Sequence, residues 1–182
     1  FARLQYDYKG KYLISGMIRR DLSTRFGPEN QVAYFPSVTG GWVISDEGFF
    51  GDSKTLNFLK LRASYGSLGN DKIRTGAYFS GLGGEATYVF DGNLVNGVAM
   101  GILANPGVKW EDAKKFDVGF DFKLFNEKVE IATDYFIDTR KDLLVPNVPV
   151  TSLTGIAGPG ALLPVINAGD VSNKGFEFAI SY

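Results

Sequence analysis

The chain has 182 residues, enough for one domain with a sizeable core, and its 19 Lys and Arg nearly balance its 20 Asp and Glu. This balance gives no electrostatic reason to expect a nucleic-acid partner. Histidine and cysteine are absent, which excludes a Ser-His-Asp triad, a Cys-His dyad, a disulfide and a typical zinc site within this sequence.

The first predicted element is a β-hairpin. Apolar and polar residues alternate over residues 2–8, the period-two pattern of a strand wetted on one side. A three-residue loop at residues 8–10, with Gly10 in the left-handed conformation, is predicted to follow. This loop would place Tyr6 opposite Tyr12.

Two further strands are predicted after a polar loop at residues 21–31. The first covers residues 34–45, and a connector with a short helical turn at residues 46–57 leads to the second, at residues 58–66. In this second strand, apolar side chains alternate with polar ones, which include Lys60 and Arg62.

A long connector is predicted from residue 67 to about residue 111, where the alternation disappears. Connectors of this length are normally functional or disordered. It carries four aromatic residues with two open interpretations, stacking on sugar rings or packing of the loop on itself or on a partner: Tyr78, Phe79, Tyr88 and Phe90.

The most regular alternation follows, on both sides of a predicted two-residue loop at Asn126-Glu127. One face of this hairpin is apolar: Phe116, Val118, Phe120, Phe122, Leu124, Val129, Ile131, Tyr135 and Ile137. The opposite face, shared with Lys60 and Arg62, carries the charges: Asp117, Asp121, Lys123, Glu130 and Asp134. The loop predicts a register that pairs Phe122 with Ile131 and Lys123 with Glu130. A slip by one residue would move charges onto the apolar side.

The last elements are an irregular stretch at residues 141–173 and a strand at residues 176–182. The total is about seven antiparallel strands in a meander, with short and long connections alternating along the chain. Limbs of about 9–11 residues suit a bilayer-crossing strand, and such alternation is typical of outer-membrane barrels with short periplasmic turns and long outer loops. The apolar face is then expected to face lipid and the charged face the lumen.

The number of predicted strands indicates whether this sequence can form a whole barrel. Seven is odd, whereas bacterial barrels have an even number of strands, so we expect residues 1–182 to be one segment of a barrel whose remaining strands are missing. Two alternatives remain open: a soluble β-sandwich acting as a binding or adhesion module, and a closed eight-stranded barrel with one more strand within residues 76–98. Carboxylate pairs such as Asp134/Asp138 have a simpler electrostatic explanation than catalysis, so no catalytic residue, metal site or cofactor is predicted.

Several sequence blocks resemble those of SusC/RagA-type TonB-dependent transporters, in the same order along the whole chain. The one departure noted is Leu22, where that family usually has glycine. The matching blocks are YDYKGKY at 6–12, RRDLSTRFG at 19–27, FPS at 35–37, LKLRASYG at 59–66, KWE at 109–111 and NKGFE at 173–177.

The resemblance implies a 22-stranded barrel in the bacterial outer membrane that contains a plug domain, and residues 1–182 are then expected to be one segment of it, without the plug domain and the remaining strands. It implies three interactions besides membrane lipid: a SusD-like surface lipoprotein as lid, TonB through an N-terminal region outside this sequence, and an imported oligosaccharide or peptide.

Overall fold

The computed structural model describes residues 1–51, 53, 55–154, 156 and 161–182. Its main feature is a seven-stranded antiparallel sheet in the order β1-β2-β3-β4-β7-β8-β11. No helix in this described part of the chain is long and apolar enough to span a bilayer. The strands of the large sheet are β1 Ala2–Tyr8, β2 Tyr12–Leu22, β3 Val32–Val43, β4 Leu56–Asn70, β7 Glu111–Leu124, β8 Val129–Lys141 and β11 Val171–Ser181.

The connections alternate between the two ends of the sheet, which confirms the predicted pattern. Residues 9–11, 44–55 and 125–128 link strands at one end, named here the short-turn end, and a 3-10 turn at Ile44–Asp46 begins the second of these links. Residues 23–31, 71–110 and 142–170 link strands at the other end, named the long-loop end.

The predicted register of the β7–β8 hairpin is confirmed. Phe122 pairs with Ile131, and Lys123 pairs with Glu130. The loop itself is longer than predicted, because the paired strands stop at Leu124 and restart at Val129.

The predicted register of the β1–β2 hairpin is wrong by two residues. Tyr8, rather than Tyr6, pairs with Tyr12. The loop covers residues 9–11, and both Lys9 (φ 56°) and Gly10 (φ 68°) are left-handed, as predicted for Gly10. The Gly10 amide also donates to Asp7 Oδ1 at 2.7 Å, which favours the later turn. A shift of two residues leaves every side chain on its predicted face.

The long connector at residues 71–110 contains a hairpin of its own, so the prediction of an irregular segment there is wrong. Strands β5 (Gly81–Phe90) and β6 (Asn93–Ile102) pair with each other. The closed eight-stranded barrel is also wrong, because this hairpin forms a separate two-stranded sheet and the large sheet runs from edge β1 to edge β11. A further short pair, β9 (Leu144–Val145) with β10 (Ile166–Asn167), lies in the last connector.

The main cluster of buried hydrophobic residues lies among the long loops. Four buried residues from the three long connectors form it: Phe26, Ala77, Val108 and Val165. The apolar face of the large sheet is instead open, with Phe178 66% exposed. A β-sandwich would bury such a face beneath a second sheet, so the sandwich alternative is not favoured.

Candidate functional site

Strand pairing places apolar residues from all seven strands on one face of the large sheet. Tyr65 pairs with Phe116, which in turn pairs with Ile137. All nine residues predicted for the apolar face of β7 and β8 therefore lie on it. The other strands add a continuous apolar surface: Leu4, Tyr6, Tyr8, Tyr12, Ile14, Ile18, Tyr34, Val38, Trp42, Leu59, Leu61, Phe176, Phe178 and Ile180.

The opposite face carries an ion-pair network centred on Arg62. Its guanidinium binds Asp121 through two hydrogen bonds, Nε to Oδ2 at 2.8 Å and Nη2 to Oδ1 at 2.9 Å. The same Nη2 lies 3.0 Å from Asp134 Oδ1. Because Arg62, Asp121 and Asp134 belong to β4, β7 and β8, a single side chain connects three strands. Bidentate pairing of this kind is the strong form of an Arg–carboxylate contact.

Gly119 makes the contact between Arg62 and Asp134 possible. It pairs with Arg62 on one side and with Asp134 on the other. A Cβ atom at this position would meet the Asp134 carboxylate, with Cγ at 2.8 Å and Thr133 O also at 2.8 Å. The missing side chain therefore leaves the space in which Arg62 and Asp134 meet.

The other predicted charged residues lie on this polar face as well. Lys123 Nζ is 3.2 Å from Glu127 and 3.3 Å from Glu130. Lys60 is paired in register with Asp121. Asp117 takes the same face opposite Ser64. The face is rich in charged groups, and several of its opposite charges form ion pairs, so it suits contact with water and polar solutes more than any one reaction.

The polar face offers no metal centre. Among the residues the structure describes, no group of three or more His, Cys, Asp or Glu side chains could hold a metal ion.

At the long-loop end, side-chain amides tie two long connectors together. Asn105 Nδ2 donates to Val165 O at 2.9 Å. Asn167 accepts from the Lys109 amide and donates to its carbonyl, both at 2.9 Å. An ion pair of 2.8 Å between Lys109 and Asp142 adds to this connection. The long loops therefore pack against one another beyond the ends of the strands. This packed region, formed by residues 23–31, 71–110 and 142–170, is named the loop layer.

The four loop aromatics predicted as ligand-binding candidates separate into two pairs. Tyr78 packs against the buried loop core, and its ring lies 5.5 Å from that of Phe79. Tyr88 and Phe90 lie on the β5–β6 hairpin, 72% and 70% exposed. This second pair is therefore the more exposed of the two.

At the short-turn end, an aromatic cluster surrounds Glu47, a site that the sequence pattern did not indicate. The Tyr12 and Trp42 rings stack at 6.3 Å, and Phe49 meets Trp42 edge-on at 6.5 Å. Glu47 Oε1 accepts from Tyr12 Oη at 2.5 Å and from Trp42 Nε1 at 3.1 Å. The Tyr12 hydrogen bond, followed by that of Trp42, holds the pKa of Glu47 below its ordinary value.

Comparison of the sequence with known proteins finds one family that matches along the whole chain. The family model described as "TonB dependent receptor-like, beta-barrel" matches residues 1–182. TonB-dependent receptor P3 of Formosa agariphila is 37% identical over 185 residues, which cover 100% of this chain and 17% of that protein. TonB-dependent receptor SusC of Bacteroides thetaiotaomicron is 29% identical and is matched over 100% of this chain and 19% of its own length.

Solved structures give the same result. The RagAB peptide transporter superposes with a TM-score of 0.82 at 28% identity, over 98% of this chain and 18% of that one. The siderophore receptor PirA of Pseudomonas aeruginosa shares the fold, with a TM-score of 0.60 at 12% identity. The chain thus spans about a fifth of the length of the curated relatives it matches.

Proposed function

Because this chain belongs to the TonB-dependent receptor β-barrel family, within its SusC/RagA type, we propose that its sheet is a section of the wall of a nutrient transporter. The chain is an outer-membrane protein, and its relatives are receptors and not enzymes. In the proposal, β1 and β11 continue into the strands of a larger barrel, because an open antiparallel sheet presents unpaired edges.

The wall assignment rests on the difference between the two faces. The apolar face is continuous across seven strands and remains exposed, as a lipid-facing surface must be. The polar face carries the Arg62 network, in which each charge has a partner. Charges on a lipid-facing surface destabilise a barrel by roughly 2–4 kcal/mol near the bilayer midplane. The charged face therefore borders the water-filled lumen.

Spin labels at neighbouring positions of β7 test this assignment in the full-length receptor in lipid vesicles. A nitroxide at Phe120→Cys should collide with oxygen dissolved in the bilayer, because residue 120 belongs to the apolar face. A nitroxide at Asp117→Cys should collide with a water-soluble nickel complex. If the two positions show the same accessibility, or the reverse order, the assignment is wrong.

The transported substrate is proposed to be an oligosaccharide or a peptide. SusC and the RagAB peptide transporter are both similar to this chain. The energy would come from TonB, acting on a region outside this sequence. The substrate would be enclosed by a SusD-like lipoprotein lid at the long-loop end, where Tyr88 and Phe90 are available to contact a sugar ring or the lid.

Uptake in whole cells separates the two substrate classes. Cells that contain the full-length receptor and the SusD-like lipoprotein proposed as its lid are given fluorescent oligosaccharides or fluorescent peptides. Cells with a TonB deletion are the control. Uptake of one class that is lost in the deletion identifies the substrate. Equal accumulation of both classes with and without TonB contradicts energised transport.

A further inference from the structure

The apolar face becomes polar near the long-loop end, where two lysines lie beside two residues with hydroxyl groups. Lys114 pairs with Thr139 across β7 and β8, and Thr139 pairs with Ser172 across β8 and β11. Lys174 pairs with Ile137 and is therefore diagonal to Thr139. Since paired and diagonal side chains on one face lie about 5–8 Å apart, two ammonium and two hydroxyl groups share one small area.

These four residues lie on the same face as the apolar surface. Thr139 is on the same side of β8 as Tyr135 and Ile137, because side chains alternate along a strand. The Lys114 side chain is 49% exposed, and Lys174 and Ser172 are exposed as well. The lysines therefore extend from the rim of the surface proposed to contact lipid.

Nearby carboxylates leave these positive charges largely available. Asp112 lies 3.7 Å from Lys114, but it also accepts a hydrogen bond of 2.8 Å from Ser67. Asp170, at the same end, accepts from the Asp142 amide at 3.3 Å. None of the ion pairs found among the described residues involves Lys174.

Aromatic side chains adjoin the lysines on the membrane side. Phe116 and Phe176 each lie two residues from a lysine on the same strand face, which is about 6.6 Å along the strand. Phe176 is 85% exposed, and its ring lies 4.7 Å from that of Tyr135. A ligand that fits both parts has acyl chains next to the aromatic rings and an anionic group at the level of the lysines.

We infer that Lys114, Thr139, Ser172 and Lys174 bind the phosphate group of a phosphorylated glycolipid in the outer leaflet. Ammonium and hydroxyl groups are suitable donors for phosphate oxygens. The inference rests on the proposed function, since it takes the apolar face as lipid-facing and the long loops as extracellular. It adds a specific lipid partner at the outer rim of the barrel wall.

Lipid binding to the full-length receptor in detergent tests this inference. The probes are monophosphoryl lipid A, the same lipid after enzymatic removal of its phosphate, and inorganic phosphate alone. The variant K114Q/K174Q should bind the phosphorylated lipid about 25-fold more weakly, since each lysine near an anionic lipid contributes roughly a five-fold effect. T139V should weaken binding by a smaller factor, and inorganic phosphate alone should bind too weakly to detect.

The matched control is K9Q/K128Q, which removes two lysines at the short-turn end and should bind the lipid as the unsubstituted receptor does. Heat-dependent gel mobility verifies that each barrel is folded, and T139V replaces the double variant if the latter does not fold. Equal binding of the dephosphorylated lipid, or unchanged binding by K114Q/K174Q and T139V, overturns the inference. If the Phe120 spin label still reports lipid, such a result leaves the wall assignment intact; a failure of that label contradicts the proposed function itself.

Discussion

The large sheet and the loop layer above it are stabilised in different ways. In the sheet, backbone pairing joins seven strands while most side chains on both faces remain partly exposed. In the loop layer, Phe26, Ala77 and Val108 are fully buried, and side-chain amides connect segments that are distant in sequence. In the proposed arrangement the sheet therefore depends on what surrounds it, lipid on one face and the lumen on the other, whereas the loops carry their own core.

This difference assigns distinct roles to the two regions. A sheet with two unlike surfaces separates two environments, and it does so only when each surface meets the solvent that matches it. A loop layer with a packed core holds its shape in water, so it can present a fixed surface to a ligand or a lid. Substitutions can test whether the two regions respond separately.

The largest effect is expected from Phe26→Ala in the loop core. Removing a fully buried aromatic ring typically costs about 3–5 kcal/mol, and Phe26 packs against Trp110 with ring centroids 5.2 Å apart. Hydrogen exchange of residues 71–110 and 142–170 in the full-length receptor should accelerate strongly, while that of β7 and β8 stays slow. Phe79→Ala, at an exposed ring, is the control. Equal acceleration in the strands would contradict the independence of the loop core.

A smaller effect, within the sheet, is expected from Gly119→Ala. The new methyl group would meet the Asp134 carboxylate and separate it from Arg62, and overpacking of this kind costs about 1–3 kcal/mol. Urea unfolding of the full-length receptor in vesicles should measure the loss. Gly40→Ala is a matched control, because a Cβ there would have no heavy atom within 4 Å. Similar losses for both variants would show that the Arg62 network is not the cause.

The smallest effect is expected at the short-turn end, from Glu47→Gln. The pKa of Glu47 is lowered in the folded protein, so its contribution to stability is present above its unfolded pKa and is lost as the pH falls through the folded value. The hydrogen-exchange protection factors of residues 44–50, which are corrected for the intrinsic exchange rate at each pH, should therefore fall in acid in the unsubstituted protein, with a weaker pH dependence in the variant. An unchanged pH profile in the variant would assign the effect to another group.

Two hairpins illustrate how much of the fold could be predicted from the sequence. The β7–β8 register was predicted correctly because the turn was placed correctly at Asn126-Glu127, and the alternation of charges excludes a slip by one residue. The β5–β6 hairpin was missed, since both of its faces carry exposed apolar residues and the alternation is absent. Its turn did leave a signal: Asp91 (φ 50°) and Gly92 (φ 77°) form the Asp-Gly pair favoured in two-residue hairpin loops.

In the candidate site, too, some features could be predicted from the sequence and others could not. The charged residues of the polar face, Arg62 and Asp121 among them, were assigned to their face by alternation alone. Their mutual contacts were not predicted, because a contact between β4 and β8 depends on the order of strands and on the empty space at Gly119. The Glu47 cluster was missed for a similar reason, since residues 44–50 fold back onto Tyr12 and Trp42.

The residue pattern alone was enough to locate the strands of the large sheet, to assign side chains to its two faces and to predict the alternation of short and long connections. These are local properties, because a period of two follows from the backbone geometry of each strand. The folded structure was needed to establish which strands are neighbours, where the loop core forms and which charges meet, since each of these depends on distances between residues far apart in the chain.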